Sequence, residues 1–427
     1  MANWIDFFKY NLKIERILPD IYPTFNSEPD FSQKSTFSFS KDAIVSLSKI
    51  KSYFSRKNST MSYLSQITSP TLLIDEAICR NNLQKMANKA KKHGLKLIPH
   101  FKTGQSKAIG KWAKEYGITE ITVSSIKMAK YFCQDGWENI HIAFPFNPLE
   151  IETLQELTKE NKISIQLVNE EVAESLNKSL TSSIEFFIEI DAGYGRTGVE
   201  ATDFGTIEKI LRKAKERDKL IFKGFYIHAG HSYYEKDISK IYEETRLALN
   251  MLKTKYSSEY PNLVTRIGDT PGCSTMDDFG DIDEVGPGNF VFYDITQARI
   301  GSCQKSDIAV ALAAPVVDIK KDKKTILVHA GGVHLAKDVL MESDGSKNFG
   351  EIVILNENGW TIPESRSFVK SISQEHGIIQ ASEELLEKIK VGDLLGILPV
   401  HSCMTADCMK SYLSLDGKWV DHAESVH

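Results

Sequence analysis

The chain has 427 residues, a net charge of −5, and ordinary apolar and charged fractions of 41% and 26%. This length suggests two domains more readily than one, and the mild acidity gives no electrostatic reason to expect nucleic acid or an anionic membrane surface as a partner. No apolar run approaches the roughly 18 residues that a membrane-spanning helix needs, and the N-terminus lacks the pattern of a secretory signal. The six cysteines predict reduced thiols in a cytoplasmic protein rather than a disulfide framework.

Residues 1–65 differ in composition from the rest of the chain and are interpreted as an N-terminal extension. They are rich in Ser, Lys and Phe and show little sustained periodicity. Within them, residues 41–57 predict a basic amphipathic helix, because Ile44, Leu47 and Ile50 recur on one side. Packing of this helix on the body of the protein is the favoured interpretation, and binding to a membrane surface is the alternative.

From residue 69 onward, strand and helix patterns alternate. A short strand at 71–75 precedes a helix at 76–93. Further strands are predicted at 95–101, 120–124, 140–144, 163–168, 184–190, 220–227 and 264–268, with helices near 105–116, 126–135, 148–160, 170–179, 203–217 and 237–255. Repeated strand–helix units with buried strands indicate an α/β fold, either a (β/α)8 TIM barrel or an open doubly wound sheet. The missing dinucleotide glycine fingerprint after the first strand favours the barrel.

After about residue 301 the helical patterns nearly stop. Strands are predicted at 308–318, 324–330, 349–355, 367–374 and 393–398, joined by polar turns. The sequence therefore predicts a barrel over residues 66–303 and a mostly β C-terminal domain over residues 304–427.

Unusual residues gather where the predicted barrel strands end, which is where parallel barrels carry their chemistry. Five clusters occupy such positions, at 99–103, 191–198, 226–233, 268–274 and 286–294. Each cluster taken singly has an ordinary explanation, because glycine-rich turns are usually only turns and a lone histidine is more often a core residue than a functional group. Five clusters on one face of one fold favour a binding site.

The residue types in these clusters suit a phosphate-bearing aromatic aldehyde. Their glycines leave backbone N–H groups free to hold a phosphate, and Arg196, Tyr226 and His228 are suited to hold a hydrogen-bonding ring. Lys102 is suited to form an imine with an aldehyde if burial or nearby cations lower its pKa.

A His-x-Cys pair lies in the predicted β domain, within Pro399-Val400-His401-Ser402-Cys403. On an extended segment, residues i and i+2 point to the same face, so His401 and Cys403 are predicted to share one metal ion. Imidazole and thiolate together favour zinc over magnesium or calcium. Two protein ligands leave open positions for water and substrate, as a catalytic site requires.

Together these segments resemble the D-serine dehydratase and D-threonine aldolase family, within the alanine-racemase-like (fold type III) pyridoxal-phosphate enzymes. The resemblance covers about residues 69–416. It rests on seven ordered motifs, namely Pro-His-Phe-Lys-Thr (99–103), Gly-Tyr-Gly-Arg-Thr-Gly (193–198), Tyr-Ile-His-Ala-Gly-His-Ser-Tyr (226–233), Gly-Asp-Thr-Pro (268–271), Pro-Gly-Asn-Phe-Val-Phe-Tyr-Asp (287–294), Gln-Glu-His-Gly (374–377) and His-Ser-Cys (401–403).

The resemblance implies a (β/α)8 barrel with a β domain, pyridoxal phosphate on Lys102, and a homodimer. It also implies roles for individual residues. Those matching the cofactor-lining and phosphate-binding positions are Arg196, Tyr226, His228, Thr270, Gly288 and Asn289. His401 and Cys403 match the metal pair, and His-x-Cys with zinc is typical of the dehydratases, whereas the aldolases tend to have His-x-Asp with a harder ion.

Two departures from the family pattern bear on the substrate. After the lysine the family usually has Thr-His-Lys, whereas this chain has Thr103-Gly104-Gln105. The position before Pro-Gly often holds Arg or His, and here it is Gly286, which has no side chain to contact the pyridine nitrogen.

We therefore expect a zinc- and pyridoxal-phosphate-dependent lyase that converts a small D-β-hydroxy amino acid, such as D-serine or D-threonine, to a 2-oxo acid and ammonia. A retro-aldol reaction that yields glycine and an aldehyde is the alternative. A non-catalytic pyridoxal-phosphate carrier and a cofactor-free zinc hydrolase are rivals from other classes. The second domain and the His-x-Cys pair argue against the carrier, and the lack of a His-x-His pair on the barrel strands argues against the hydrolase.

Overall fold

The computed structural model describes residues 62–235 and 237–424, so the predicted helix at 41–57 lies outside the described residues. The strands are β1 (Thr71–Ile74), β2 (Lys96–Leu97), β3 (Glu120–Val123), β4 (Asn139–Pro145), β5 (Lys162–Leu167), β6 (Ile184–Asp191), β7 (Val199–Glu200), β8 (Leu220–Ile227), β9 (Val264–Ile267), β10 (Glu284–Val285), β11 (Val310–Lys320), β12 (Thr325–His329), β13 (Leu340–Met341), β14 (Lys347–Asn348), β15 (Gly350–Asn356), β16 (Gly359–Thr361), β17 (Phe368–Ile372), β18 (His376–Gln380), β19 (Leu394–Pro399), β20 (Tyr412–Ser414) and β21 (Trp419–Val420). The α-helices are α1 (Glu76–Lys92), α2 (Lys107–Glu115), α3 (Ile126–Cys133), α4 (Ile151–Leu157), α5 (Glu170–Ser179), α6 (Phe204–Lys215), α7 (Ile238–Tyr256), α8 (Thr270–Thr275), α9 (Ile295–Ile300), α10 (Gly332–Leu335), α11 (Glu383–Lys388) and α12 (Ser402–Met409).

Within the described residues, eight parallel strands form a nearly closed barrel, which confirms the predicted (β/α)8 fold. Around the barrel the strands follow the order β2, β10, β9, β8, β6, β5, β4 and β3. A parallel bridge between His100 and Thr122 brings the two ends of this sheet together. Helices begin where polar side chains cap them: Ser106 accepts a hydrogen bond from the Ile109 N–H at the start of α2, and Asn169 from the Val172 N–H at the start of α5.

The C-terminal domain is a mostly antiparallel sheet, as predicted. The strands β11, β19, β15, β17, β18 and β12 follow one another by pairing, and β12 also pairs with β11, so this part of the sheet closes on itself. Its core is built from alternating buried residues such as Ile326 and Val328, which are fully buried.

The strand β1 joins the antiparallel sheet rather than the barrel. It pairs antiparallel with β11 and parallel with β20, with Leu72 opposite Leu312. All four of its residues are buried, so the strand lacks an alternation of buried and exposed residues that would indicate which sheet it joins. The domain boundaries at 65/66 and 303/304 stay a prediction, but the predicted barrel segment thus supplies one strand to the other sheet.

Three helices of the described C-terminal region, α10, α11 and α12, form where the sequence predicts almost none. The helix α11 begins after Ser382, whose hydroxyl accepts a hydrogen bond from the Leu385 N–H. The helix α12 begins directly after His401. All six cysteines are free thiols. In the described ranges, no helix is both long enough and apolar enough to cross a bilayer.

A buried ion pair joins two neighbouring barrel strands, β9 and β10. The guanidinium of Arg266 donates to Glu284 Oε2 at 2.5 Å, and the two side chains are only 3% and 7% exposed. Glu284→Ala leaves a buried charge without its partner, so we expect the free energy of unfolding to fall by about 3–5 kcal/mol, measured by urea denaturation. The exposed Glu357 serves as the control, since Glu357→Ala should change it by less than about 0.5 kcal/mol. Equal effects of the two substitutions would contradict this prediction.

Candidate active site

A cavity of about 130 Å³ lies where the barrel strands end and the C-terminal domain begins. Residues from both parts of the chain line it: His100, Lys102, Tyr194, Arg196, His228, Gly230, Tyr233, Tyr234, Gly268, Gly288, Asn289, His401 and Cys403. A larger surface groove of about 590 Å³ lies along α6 and α7 and is lined mainly by solvent-facing charged residues of these helices. The smaller cavity therefore holds the groups suited to chemistry.

Seven of the nine predicted site residues line this cavity: Lys102, Arg196, His228, Gly288, Asn289, His401 and Cys403. Tyr226 lies just below it, because a Cβ added to Gly268 would be 2.0 Å from the Tyr226 hydroxyl oxygen. Thr270 contacts the Tyr233 hydroxyl group. The roles of all nine residues stay predictions.

His100, Tyr194 and Tyr233 also line the cavity, although they are not among the site residues predicted from the sequence. Each stands inside a quoted motif, so the signal that could have found them is proximity to a predicted site residue. Which side chains of a loop turn inward depends on its backbone path, and that path has no periodicity to read.

Lys102 follows β2 in a loop that holds its amine inside the cavity. Its backbone N–H donates to His100 Nδ1 at 3.3 Å, and the neighbouring Phe101 packs edge-on against Trp137. Burial lowers the pKa of Lys102; Cys403 acts in the opposite direction, and Arg196 lowers the pKa further. The loop therefore raises the share of the uncharged amine, the form that acts as nucleophile or base.

His228, which lines the same cavity, is also kept neutral. Burial and the adjacent Lys102 and Arg196 lower the pKa of His228 to about 3. Its Nδ1 lies 3.0 Å from the Gly268 carbonyl oxygen. Since a carbonyl can only accept, Nδ1 carries the proton and Nε2 is left as an acceptor.

Glycine backbones form the walls of the cavity at three loops. A Cβ at Gly288 would be 2.9 Å from the His100 carbonyl oxygen, and one at Gly230 would be 2.3 Å from the Tyr194 ring. Together with Gly268, these positions accept no side chain without displacing a neighbour. Such close backbone approach suits a bound phosphate, because backbone N–H groups that no side chain covers can donate to its oxygens. The residues present thus fit the predicted pyridoxal phosphate.

The predicted metal pair, His401 and Cys403, reaches the same cavity by a geometry that differs from the expected one. The expected extended segment is wrong, because Ser402 is the first residue of α12 and His401 is its N-cap residue, with φ −134° and ψ 100°. His401 thus precedes the first helical turn, in which Cys403 is the second residue. His401 is consequently hydrogen-bonded to Cys403 even though the two do not share a strand.

Polar neighbours hold this pair in place. Cys403 Sγ lies 3.1 Å from Thr103 Oγ1 and 3.5 Å from Asn289 Nδ2, which also donates to Asp294 at 2.6 Å. Asp338 Oδ1 lies 3.4 Å from His401 Nδ1. The barrel loops and the C-terminal domain therefore converge on the thiol.

The electrostatics of the pair favour the thiolate. Burial by itself raises the pKa of Cys403, but the effects of His401 and Lys102 together lower it. Burial opposes a charged His401, yet its hydrogen bonds with Asp338 and Cys403 raise its pKa to about 11. The pair is therefore a thiolate and an imidazolium, and loss of one imidazolium proton turns it into a thiolate–imidazole donor set, which suits zinc.

The two departures from the family pattern have visible structural consequences. Gly104 accepts a hydrogen bond from the Tyr412 hydroxyl at 2.6 Å. The Gln105 amide donates to the Lys102 carbonyl and to Asp407 Oδ1, both at 3.2 Å. At Gln105, a neutral amide thus ties the lysine loop to α12 where the family usually has a lysine side chain. At Gly286 a Cβ would be 3.2 Å from the Ile98 carbonyl oxygen, so the backbone there packs closely.

A carboxyl group is buried in the barrel near Tyr226. Glu189 is 4% exposed, and its Oε2 has no hydrogen-bond partner within the described ranges. Burial raises the pKa of Glu189 to about 7, with Arg196 acting in the opposite direction and Asp191 raising it further.

This pKa predicts a pH-dependent stability. The pKa of Glu189 in the folded protein lies above its value of about 4.3 in the unfolded chain. The protonated carboxyl group therefore contributes its full stabilisation of the folded state below about pH 4.3, and this contribution is lost as the pH rises through about 7. From pH 5 to pH 8, the wild type should lose about 2–3 kcal/mol of unfolding free energy relative to Glu189→Gln. Urea denaturation of both proteins at the two pH values checks this, and a constant difference between them would contradict it.

Comparison with known protein families identifies two matching regions. Residues 74–295 match the family described as "Alanine racemase, N-terminal domain", and residues 309–415 match the "Putative serine dehydratase domain". These two regions coincide closely with the barrel and with the antiparallel sheet, and they confirm the resemblance given by the motifs.

Individual relatives agree with these families along nearly their whole length. The D-serine dehydratase of Dictyostelium discoideum is 28% identical over 376 residues, covering 82% of this chain and 93% of that protein. The D-threo-3-hydroxyaspartate dehydratase of a Delftia strain is 27% identical over 379 residues, covering 84% and 98%.

Solved structures show the same fold. The structure of the Delftia dehydratase matches with a TM-score of 0.77 at 24% identity, covering 84% of this chain and 98% of that one. An alanine racemase-like protein of Idiomarina loihiensis matches with a TM-score of 0.75 at 25% identity, covering 85% and 99%.

Proposed function

Because the chain belongs to the pyridoxal-phosphate-dependent family defined by the alanine racemase N-terminal domain, we propose that it is a zinc-dependent lyase that dehydrates and deaminates D-β-hydroxy amino acids. The observation that carries this proposal is one cavity that holds both Lys102 and the His401–Cys403 pair. The relatives named as D-serine and D-threo-3-hydroxyaspartate dehydratases support the reaction type. A solved structure of the Delftia enzyme is described as a cysteine mutant in the metal-free form, which supports a metal in this family.

Different residues of the cavity would bind different parts of the cofactor. Gly288, Asn289 and Thr270 would hold the phosphate, and Tyr226, Arg196 and His228 would surround the ring. Bound pyridoxal phosphate supplies an electron sink for the substrate Cα. His228 offers a hydrogen-bond acceptor from a neutral ring, since burial and its cationic neighbours lower its pKa to about 3.

Lys102 moves the proton. Its amine would hold the cofactor covalently at rest and take the Cα proton once the substrate is in place. A base must be uncharged, and burial lowers the pKa of Lys102 in the direction that this role requires. A substrate reacts by this route only when its Cα–H is held toward Lys102.

His401 and Cys403 would hold the zinc ion. A zinc ion at this place supplies a Lewis acid for the β-hydroxyl group, a poor leaving group by itself. Asp338 orients the His401 ring through Nδ1, and Thr103 and Asn289 donate hydrogen bonds to the thiolate. With two protein ligands, the site keeps positions open for the substrate hydroxyl.

A product screen tests the proposal. Purified protein loaded with pyridoxal phosphate and zinc is incubated with D-serine, D-threonine or D-threo-3-hydroxyaspartate, with L-serine as the control and with or without a chelator. We expect ammonia and a 2-oxo acid from a D-substrate in the absence of the chelator only. Glycine and an aldehyde as the sole products would identify an aldolase instead. No product from any of the three, although borohydride still abolishes the cofactor's visible absorption band, would leave the non-catalytic carrier as the explanation.

We further propose a homodimer in the cytoplasm. The homodimer rests on the family resemblance. The compartment rests on the six free thiols, which fit a reducing environment. Sedimentation equilibrium of the full chain tests the first, since a monomer at micromolar concentration would refute it, and fluorescence localisation in the cell of origin tests the second.

A further inference from the structure

Two imidazoles and a carboxylate converge in the C-terminal domain, outside the site described above. His329 ends β12, His334 lies in α10, and Glu375 lies in the turn between β17 and β18. One ligand atom from each of these residues lies within 4.8 Å of the others. None of the three lines the cavity around Lys102, so the cluster takes no part in the proposed reaction.

The distances within this cluster match the edges of a metal tetrahedron. Glu375 Oε2 lies 3.3 Å from His329 Nε2 and 3.7 Å from His334 Nε2. Zinc bonds to His nitrogen and carboxylate oxygen are about 2.0–2.2 Å long, which places neighbouring tetrahedral ligands roughly 3.3–3.5 Å apart. The rings of His329 and His334 stand at 88° to each other, and one nitrogen of each lies within 4.8 Å of the other and of the Glu375 oxygen.

The surroundings of His334 also suit a bound cation. Burial lowers the pKa of His334; Glu375 raises it and His329 lowers it further, and the net shift is downward. At neutral pH this ring can therefore supply a lone pair. The Gly331 N–H donates a hydrogen bond to His334 Nδ1 at 3.1 Å. If the ring bound an ion through Nε2, its proton would lie on Nδ1, and this hydrogen bond would be lost.

We propose that His329, His334 and Glu375 form a second zinc site, separate from His401 and Cys403, with water in the remaining position. Two imidazoles and one carboxylate form a set that divalent transition metals, zinc above all, accept. The site goes beyond the proposed lyase function and does not depend on it.

An ion at this second site would brace a segment that reaches the catalytic pair. The Leu335 carbonyl at the end of α10 accepts a hydrogen bond from Thr405 Oγ1 at 3.3 Å, and Asp338 contacts His401. Fixing His329 and His334 to Glu375 restricts the backbone between β12 and Asp338. The second ion would thus be a structural brace and not a reactant.

Zinc content measured by plasma mass spectrometry tests this inference. The cofactor-loaded full chain is dialysed against buffered micromolar zinc, and three variants are treated in parallel: Glu375→Gln, the double variant His401→Ala/Cys403→Ala, and the exposed control Glu357→Gln. We expect about two zinc ions per chain in the wild type and the control, and about one in each of the other two.

The outcomes separate the second site from the proposed function. Loss of one ion in Glu375→Gln with none lost in the double variant would support the second site and contradict the zinc pair. The same content in Glu375→Gln as in the wild type would overturn the second site.

Thermal unfolding provides a readout that needs no activity. In the double variant, which lacks the His401–Cys403 pair, added zinc should still raise the unfolding midpoint, because an ion that binds only the folded state stabilises it. Adding Glu375→Gln to this background should abolish that rise, and adding Glu357→Gln should not. A rise that persists with Glu375→Gln would also overturn the second site.

Discussion

Replacing Lys102 with alanine is expected to reduce ammonia release from the best D-substrate by about 10⁴-fold or more. The substitution removes both the covalent attachment of the cofactor and the base for the Cα proton, and proton transfer by a positioned side chain alone contributes about 10²–10⁴-fold. The measurement is the initial rate of 2-oxo acid formation at saturating cofactor. Borohydride reduction followed by peptide mass analysis should label the wild type at Lys102 and leave the variant unlabelled.

A matched lysine on the next helix serves as the control. Lys111 is exposed on α2, and Lys111→Ala should change the rate by less than about twofold, since surface substitutions usually have small effects. Lys102→Arg keeps a positive charge but has no free amine to lose a proton near neutral pH, so it should be as inactive as Lys102→Ala. Normal turnover by either Lys102 variant would refute the whole scheme.

Much of the fold could be predicted from the sequence because the barrel strands are buried and the helices between them are amphipathic. The alternation of these two patterns predicts the (β/α)8 barrel, and the loss of helical periods after residue 301 predicts the second sheet. The strand β1 lies in the other sheet because a short run buried on every side carries no information about its neighbours. The helix α12 was missed because Ser402–Met409 combines polar, small and sulfur-containing residues without an apolar stripe.

The site could be predicted only where a motif marked it. Lys102, His228, Gly288 and Cys403 line the cavity as expected. Tyr194 and Tyr233 enter it through loop conformations that no local pattern encodes. The cluster of His329, His334 and Glu375 could not be predicted for another reason. His329 and Glu375 are 46 residues apart in the chain, and only the pairing of β12 with β18 brings them together.

The polar interior of the barrel could not be predicted from the sequence either. Glu189, Arg266 and Glu284 lie in the barrel strands β6, β9 and β10, next to apolar residues, and all three are buried instead of facing solvent. A charged residue in a strand pattern usually indicates an exposed face. In this barrel the parallel strands curve around an interior in which Arg266 and Glu284 form an ion pair. In the same interior, burial raises the pKa of Glu189.

Cys403→Ala is expected to slow 2-oxo acid formation by roughly 10³-fold while leaving the cofactor bound. Polarisation of a leaving group by zinc contributes several kcal/mol to the barrier, and about 4 kcal/mol corresponds to roughly 10³-fold in rate. Because Lys102 remains intact, the borohydride-sensitive absorption band should persist, and the zinc content should fall by about one ion per chain. The rate and the band thus separate the metal's role from the cofactor's.

Cys408 supplies a matched control on the same helix. It is a free, half-buried thiol near the end of α12, and it does not line the cavity. Cys408→Ala should keep both the zinc content and the rate within about twofold of the wild type. If Cys403→Ala retained full activity in the presence of a chelator, the β-hydroxyl would leave without metal assistance, and the pair would have to be structural. If instead both cysteine variants lost activity equally, the effect would come from α12 as a whole and not from the thiolate that faces Lys102.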